Sequence, residues 1–189
     1  MPRTLRFALL ALAVLVLLVA LAASFGWYPV ALVNGHAVTA RAMDENSHAA
    51  NYYYQRLLDA AAAGGPAVAS TTPVAFAADT LDLLVENELV REGAEREVGN
   101  DIKAAVADKV GRYRNDPKLE EAVRALYGLS ADDFQRLVLE PQAERDILSG
   151  KLFISGTKLS DWLTEERKAA HVSVFAAGFR WDGEHVVPW

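Results

Sequence analysis

The feature that most constrains this chain of 189 residues is a run of 19 residues without a charged side chain, residues 7–25, which begins at Phe7 and ends at Phe25. A helix of that length rises roughly 28 Å, which is close to the hydrocarbon thickness of a bilayer. A buried core helix is disfavoured, because the run has no polar face anywhere along it. It therefore predicts a single transmembrane helix at the N-terminus.

The charges around this run predict its orientation. Arg3 and Arg6 precede it, and the next basic residue is Arg41. Because basic residues favour the cytoplasmic side of a membrane, the N-terminus is predicted to be cytoplasmic and the remainder periplasmic or at the cell surface. Trp27 and Tyr28 follow the run and are predicted interface anchors, since amphipathic rings favour the headgroup layer.

A cleaved signal peptide is the alternative interpretation of the same run. Residues 20–22 read Ala-Leu-Ala, which fits a signal-cleavage pattern, and the run is only slightly long for a signal. In both cases the rest of the chain is exported. The predicted division is an anchor or signal at residues 1–28 and one extracytoplasmic domain at residues 29–189, which is long enough for its own core.

The exported part is acidic and contains no cysteine. Because Arg3 and Arg6 precede the run, 17 of the 19 basic residues remain in it, against all 25 acidic residues. An acidic domain repels phosphate backbones, which argues against a nucleic acid partner. The lack of cysteine excludes disulfides, thiolate nucleophiles and cysteine-bound zinc.

Capping and stop signals divide the exported part into helices. Thr39, Thr72 and Ser130 occupy N-cap positions, and Gly99 is a C-terminal stop. Pro141 falls inside the fifth predicted helix and should kink or break it, so five to six helices are expected. The predicted ranges, caps included, are about 39–62, 72–98, 100–114, 117–128, 131–152 and 159–170.

The second predicted helix carries two apolar stripes. Such a helix packs against neighbours on two sides, as the central helix of a bundle does. The first stripe contains Leu81, Leu84, Val85 and Leu89, and the second contains Leu83, Val90 and Ala94.

Short strands are predicted at both ends of this domain. Residues 30–38 read as a β-hairpin because Asn34-Gly35 suits a type I′ turn, with a membrane-proximal linker as the alternative. In the tail, residues 171–175 alternate, and residues 179–181 and 185–187 flank a second turn. Because an isolated hairpin is marginally stable, these strands are predicted to form one small sheet that joins the termini. The predicted fold class is therefore mainly α, a transmembrane helix followed by a helical domain closed by a small β-sheet.

No catalytic constellation is recognisable in the sequence. The four histidines have no metal-ligand spacing among themselves or with carboxylates, although His36 and His185 could approach each other if the terminal strands pair. No nucleophile, metalloprotease or phosphate-binding motif is present. The carboxylates of the second helix interleave with arginines at helical spacing, which is typical of a solvated face. No catalytic residue, cofactor or metal is therefore expected.

Three consecutive tyrosines, residues 52–54, lie on the first predicted helix. Successive helical residues project about 100° apart, so the three rings cannot all enter one core. At least one ring is expected at the surface or in a groove, where it could contact an apolar peptide. The candidate peptide-binding residues are Tyr53, Leu57, Phe134 and Trp162, with core packing as the alternative role of each.

Four stretches of the chain carry a family resemblance. Residues 33–39 read VNGHAVT, residues 84–99 LVENELVREGAEREVG, residues 127–134 YGLSADDF and residues 139–152 LEPQAERDILSGKL. In order and spacing they resemble the N-terminal chaperone region of the SurA/PrsA/PpiD group of exported parvulin-type folding factors. The resemblance covers about residues 30–170. It implies a helical cradle that holds unfolded exported chains.

The departure from this family lies in the tail. Isomerase members carry a parvulin domain, but only 19 residues follow Ala170 and they contain no glycine-rich parvulin segment. Enzyme activity is therefore not expected from the resemblance. The predicted function is a membrane-anchored extracytoplasmic chaperone, or holdase, for unfolded exported polypeptides. The alternatives are a non-catalytic scaffold subunit for one envelope partner and a residual peptidyl-prolyl isomerase.

Overall fold

The structure is a computed structural model that describes residues 14, 17, 21, 23–69, 71–113 and 117–189. It is mainly helical, with two small antiparallel sheets. In chain order the elements are β1 (Pro29–Val33), β2 (His36–Thr39), α1 (Ala40–Ala62), α2 (Pro73–Val98), a 3-10 turn (Gly99–Asp101), α3 (Ile102–Gly111), α4 (Pro117–Tyr127), α5 (Ala131–Phe134), a π-helical turn (Gln135–Leu139), α6 (Glu140–Ile154), α7 (Leu159–Ala169), β3 (Val172–Val174), β4 (Phe179–Trp181) and β5 (Val186–Pro188).

The predicted N-caps at Thr39, Thr72 and Ser130 are confirmed. The side-chain oxygen of Thr39 accepts a hydrogen bond from the amide of Ala42, 3.1 Å away, and that of Thr72 accepts one from Ala75 at 3.2 Å. Ser130 caps α5 in the same way. Each bond satisfies an amide that the first turn of a helix leaves without a partner, so α1, α2 and α5 begin where the sequence indicates.

The third and fifth helices differ from their predictions. Asn100, the predicted N-cap of the third helix, does not begin an α-helix directly, because a 3-10 turn comes before α3. The predicted end of that helix near Arg114 lies outside the described residues. Pro141 causes no break, because the π-helical turn lies directly before it. There the amide of Glu140 donates to the carbonyl of Gln135, five residues back. The wider turn makes room for the proline ring, and the helix continues as α6.

The strands pair across the termini, but they form two sheets rather than the predicted one. β1 lies between β2 and β3, and Ala31 pairs with Val174 of the C-terminal part. β4 and β5 form a separate hairpin. The reason lies at the end of β3, where the amides of Phe175 and Ala176 both donate to the carbonyl of Val30. Because both hydrogen bonds go to one carbonyl, the regular pairing of β1 with β3 ends here and the chain turns away from the first sheet.

Helix α2 contributes to both hydrophobic clusters, which confirms that it is the central helix. One cluster lies between α2, α3, α6 and α7 and includes Val90 and Leu148. The other lies between α2 and the strands and includes Leu81 and Val85. Leu83 was predicted in the second stripe, yet 48 % of its surface is exposed. The packing of α2 is therefore incomplete on one side.

The predicted fold class needs a correction, because it included a transmembrane helix. No helix among the described residues is long and apolar enough to cross a bilayer. The long helices α1 and α2 carry charged side chains along their length, which is the physical reason that neither qualifies. Phe7 lies outside the described residues, and Phe25 lies in a turn. The division of the chain near residue 28 stays a prediction.

Candidate functional site

A groove lies where the packing of α2 is incomplete. Helix α1 and the segment formed by the π-helical turn and α6 both pack on α2, and a cavity of about 450 Å³ remains between them. We call it the central groove. Its apolar lining consists mainly of Tyr53, Leu83, Tyr127, Leu137, Val138 and Pro141.

Two stacked tyrosines form one wall of the central groove. The rings of Tyr53 and Tyr127 lie 5.0 Å apart, centroid to centroid, with 8° between their planes. The ring of Phe134 follows at 5.1 Å from Tyr127, tilted by 47°. Burial and the neighbouring Tyr53 raise the pKa of Tyr127 above its ordinary value. The wall is therefore an aromatic surface backed by the buried Phe134 and neutral at physiological pH.

The opposite wall comes from the π-helical turn. A π-helical turn holds one more residue than the α-helical turn it replaces, and such turns are frequent at functional sites. Here it places Leu137 and Val138 at the groove, next to Pro141 at the start of α6. Exposed Leu83 lies on the groove's floor, which belongs to α2.

A buried ion-pair network supports the polar edge of the groove. Arg167 of α7, whose side chain is 7 % exposed, donates to Asp82 at 3.0 Å and to Glu86 at 2.5 Å. Arg145, from α6, also donates to Glu86. Burial acts to raise the pKa of Glu86, but the hydrogen bonds from the two arginines outweigh it and hold that pKa below its ordinary value. Glu86 is thus ionised and pairs with both arginines.

One further cavity adjoins the central groove, and another lies beyond it. The first, of about 270 Å³, lies beside β2 and shares Asn46, Asn87, Leu137 and Pro141 with the groove. We call it the hairpin-side cavity. The second, of about 520 Å³, lies beside α3 and shares three charged residues with the first. We call it the α3-side cavity. The three spaces form a row along α2.

The charged residues shared by the two outer cavities are Arg91, Glu140 and Glu144. Arg91 pairs with carboxylates of its own helix, and Glu140 accepts a hydrogen bond from Gln135 at 2.9 Å. Within the described part of the chain, Glu144 forms neither a hydrogen bond nor an ion pair. Glu144 is therefore a half-buried carboxyl group that faces open space.

The surroundings of Glu144 disfavour its charged form. Burial, followed by the carboxylates of Glu95, Glu140 and Glu88, raises its pKa to about 7 against the opposing effect of Arg91. At neutral pH this side chain therefore exchanges readily between its neutral and its ionised form.

The four candidate peptide-binding residues lie in different places. Tyr53 lines the central groove. Leu57 lies one turn further along α1 and is partly exposed, outside the lining. Phe134 is buried behind Tyr127. Trp162 lies on α7, where its ring packs close to Gly93, away from the groove.

The predicted interface anchors are exposed. Trp27 and Tyr28 precede β1, and the ring of Trp27 lies 5.5 Å from that of Phe25. None of these three side chains lines the central groove or the other two cavities.

The histidines occupy positions that the sequence did not indicate. His36 and His185 do not meet; His185 lies 3.3 Å from Asp82. His36 lies 3.6 Å from Glu88 and 3.7 Å from Glu92, so metal-ligand distances exist despite the lack of sequence spacing.

This histidine cluster already contains a cation of the chain itself. The guanidinium of Arg91 bonds to Glu88, and its Nη2 lies 3.2 Å from Nδ1 of His36. Arg91 thus faces Glu88 and His36, while Glu92 accepts a hydrogen bond from the side chain of Asn34 at 2.7 Å. We interpret the cluster as a contact that holds the β1–β2 hairpin on α2.

Sequence reasoning missed Leu83, Tyr127, Leu137 and Glu144. Leu83 has the spacing of a core position, and nothing local distinguishes it from its buried neighbours. Pro141, which predicted an irregular fifth helix, was the one local signal close to the groove.

No family model, curated protein or solved structure matches this chain. The resemblance to parvulin-type folding factors therefore stays a prediction. The central groove and the two cavities beyond it are the features of the described residues that point to a function.

Proposed function

We propose that this protein is a non-catalytic binding domain that holds extended, apolar segments of other polypeptide chains in the central groove. The observation that carries the proposal is the exposure of Leu83, 48 %, in a helix where Leu81 and Val85 are fully buried. Fully burying a leucine contributes about 1.5–3 kcal/mol, so the exposed half of Leu83 forgoes roughly half of that free energy. An apolar segment of a bound chain would recover that free energy.

The shape of the site supports an extended ligand. Residues of α2 from Thr80 to Glu95 line the row of three cavities, and a helix of that length rises about 22 Å. An extended chain advances about 3.3 Å per residue, so about seven residues would follow the row. A compact small molecule would fill only one of the three spaces.

The lining offers hydrogen bonds for a peptide backbone. Asn87 lies where the central groove meets the hairpin-side cavity, and its side-chain amide makes no hydrogen bond to any other residue that the structure describes. A primary amide both donates and accepts, so it can pair with a backbone carbonyl and amide at once. Such contacts hold a chain without reading its side chains, as a binder of varied clients requires.

The test uses the full chain and a fluorescein-labelled peptide of about eight residues rich in leucine and valine, with binding followed by fluorescence anisotropy. Leu83→Arg places a charge on the groove floor and is expected to weaken binding at least tenfold. Leu126→Arg is the matched control, because Leu126 is an exposed leucine of α4 outside the groove. Equal affinities for both variants, or no binding by the unmodified chain, would overturn the proposal.

A second assay separates a holdase from a scaffold for one partner. A holdase should suppress the aggregation of several unrelated unfolding enzymes, and Leu83→Arg should abolish that effect. Suppression of none of them at several-fold molar excess, alongside intact peptide binding, would favour the scaffold. That the clients are exported chains stays a prediction, since it depends on the N-terminal residues outside the described part.

A further inference from the structure

We infer that the row of cavities selects polypeptide segments in which a basic residue follows an apolar stretch, and that Glu144 receives the basic side chain. This inference rests on the proposed function and specifies the chemistry of its ligand. It does not follow from the apolar groove alone, because the central groove is lined mainly by aromatic and aliphatic side chains.

The first argument is the position of Glu144. Its side chain lines both the hairpin-side and the α3-side cavity, beyond the apolar groove along α2. A chain that fills the central groove and continues along the row therefore passes this carboxyl group. An amphipathic lysine or arginine would lay its methylene stem along the lining and bring its charged end to the carboxylate.

The second argument is charge complementarity. The acidic groups around Glu144 and the nearby Arg91 already have partners: Arg91 bonds to Glu88 and Glu95, and Glu140 accepts from Gln135. On the π-helical turn, Arg136 is occupied by Glu45 and Asp133. Arg91 acts on Glu144 only from a distance, and no cation among the described residues forms an ion pair with its carboxyl.

The surrounding elements make this end of the row acidic. From α2, Glu88, Glu95 and Arg91 face Glu144, while Glu140 lies on its own helix. Helix α3 contributes Lys103 to the lining, and its side chain is exposed. A cation that approached this half-buried carboxyl would favour its ionised form and lower its pKa from about 7.

The chemistry favours one organic cation over a divalent metal. Of the carboxylates that line the two outer cavities, Glu144 is the one to which no described residue donates a hydrogen bond, whereas Mg²⁺ and Ca²⁺ take several oxygen ligands. A lysine ammonium or an arginine guanidinium needs a single carboxylate and forms a charge-assisted hydrogen bond with it.

The experiment compares three fluorescein-labelled peptides that share one apolar sequence and end in lysine, norleucine or glutamate. Binding to the full chain is measured by anisotropy near pH 7. The lysine peptide should bind about five- to tenfold tighter than the norleucine peptide, and the glutamate peptide weakest. Glu144→Gln should remove the preference for lysine while the norleucine affinity stays within twofold. Glu121→Gln, a change at an exposed carboxylate of α4 outside the row, should keep the preference.

Calorimetry gives a readout that a purely structural role of Glu144 would not change. If the cation ionises Glu144, binding of the lysine peptide near pH 7 releases up to about half a proton, since Glu144 is about half protonated there, and the apparent enthalpy depends on the ionisation enthalpy of the buffer. The norleucine peptide and the Glu144→Gln variant should show no such dependence.

The outcomes separate this inference from the proposed function. Equal binding of the three peptides overturns the inference and leaves the proposed function standing. Failure of the norleucine peptide to bind overturns the proposed function itself. A lysine preference that persists in Glu144→Gln overturns the assignment of this residue.

Discussion

The ring of Tyr53 on α1 lies nearly parallel to the ring of Tyr127 at the end of α4, with the two centroids 5.0 Å apart. This contact joins two helices that are distant in sequence and forms the aromatic wall of the central groove. It therefore couples the stability of the domain to the shape of its proposed binding surface.

Replacement of Tyr53 should affect stability and binding together. A stacked aromatic pair contributes about 0.5–1.5 kcal/mol beyond the area it buries, so Tyr53→Ala should lower the free energy of unfolding by at least that amount and weaken peptide binding. Tyr53→Phe should change neither, because the Tyr53 hydroxyl makes no hydrogen bond to another described residue. Urea unfolding and peptide anisotropy measure the two effects. Equal losses in both variants would contradict the stacking argument.

Arg167 is expected to be the costliest single charge to remove. Arg167→Met removes a buried cation that bonds to both Asp82 and Glu86, whose carboxylates are partly buried, and breaking such a pair costs up to about 3–5 kcal/mol. Arg124→Met removes the exposed pair with Glu120 on α4 and should cost less than about 1 kcal/mol. Chemical unfolding measures the free energy of unfolding of the two variants. Similar losses of stability in both would contradict a large contribution from the Arg167 network.

Two helical glycines should respond to alanine in opposite ways. A Cβ at Gly93 would lie 2.5 Å from two ring carbons of Trp162 and 3.1 Å from Leu148, so Gly93→Ala should destabilise the domain by about 1–3 kcal/mol. A Cβ at Gly150 meets nothing within 4 Å, and Gly150→Ala should be neutral or stabilising by up to about 1 kcal/mol. Thermal unfolding compares them. A stable Gly93→Ala would show that α7 packs less closely on α2 than described.

The raised pKa of Glu144 predicts a defined pH dependence of stability. The folded state keeps the proton up to about pH 7, whereas the unfolded chain releases it near the ordinary value of 4.5. Between these two values the folded state binds more protons, so the free energy of unfolding falls as the pH rises, and it levels off above 7.

Glu144→Gln should remove this dependence. We expect the variant to have the same free energy of unfolding as the unmodified chain near pH 4. Near pH 8 its free energy of unfolding should be higher by about 1–2 kcal/mol, after allowance for solvent screening at a half-exposed site. Urea unfolding at both pH values checks it, with Glu121→Gln as the control. A gain of the same size at both pH values would contradict the assigned pKa.

Much of the helical framework is readable from neighbouring residues. Thr39 and Thr72 cap α1 and α2, and Asn34, with a φ of 50°, begins the turn between β1 and β2. These features depend on contacts over a few positions, so the residues that decide them are adjacent in sequence. For that reason the boundaries of α1 and α2 were predictable almost to the residue.

The candidate site was predictable only in part. Tyr53 was expected at a groove and lines one, but Leu83 was expected in a core stripe and is exposed. Helical spacing shows which side chains share a face, and it does not show whether another helix covers that face.

By itself, the sequence determined the central position of α2 and the pairing of strands from the two ends of the described domain. Tertiary structure alone decided that α1 and α6 pack on α2 without closing over Leu83, and that Glu144 is left without a partner. The reason is physical: caps and turns form between residues close along the chain, whereas a groove or an unpaired carboxyl depends on where distant helices come to rest.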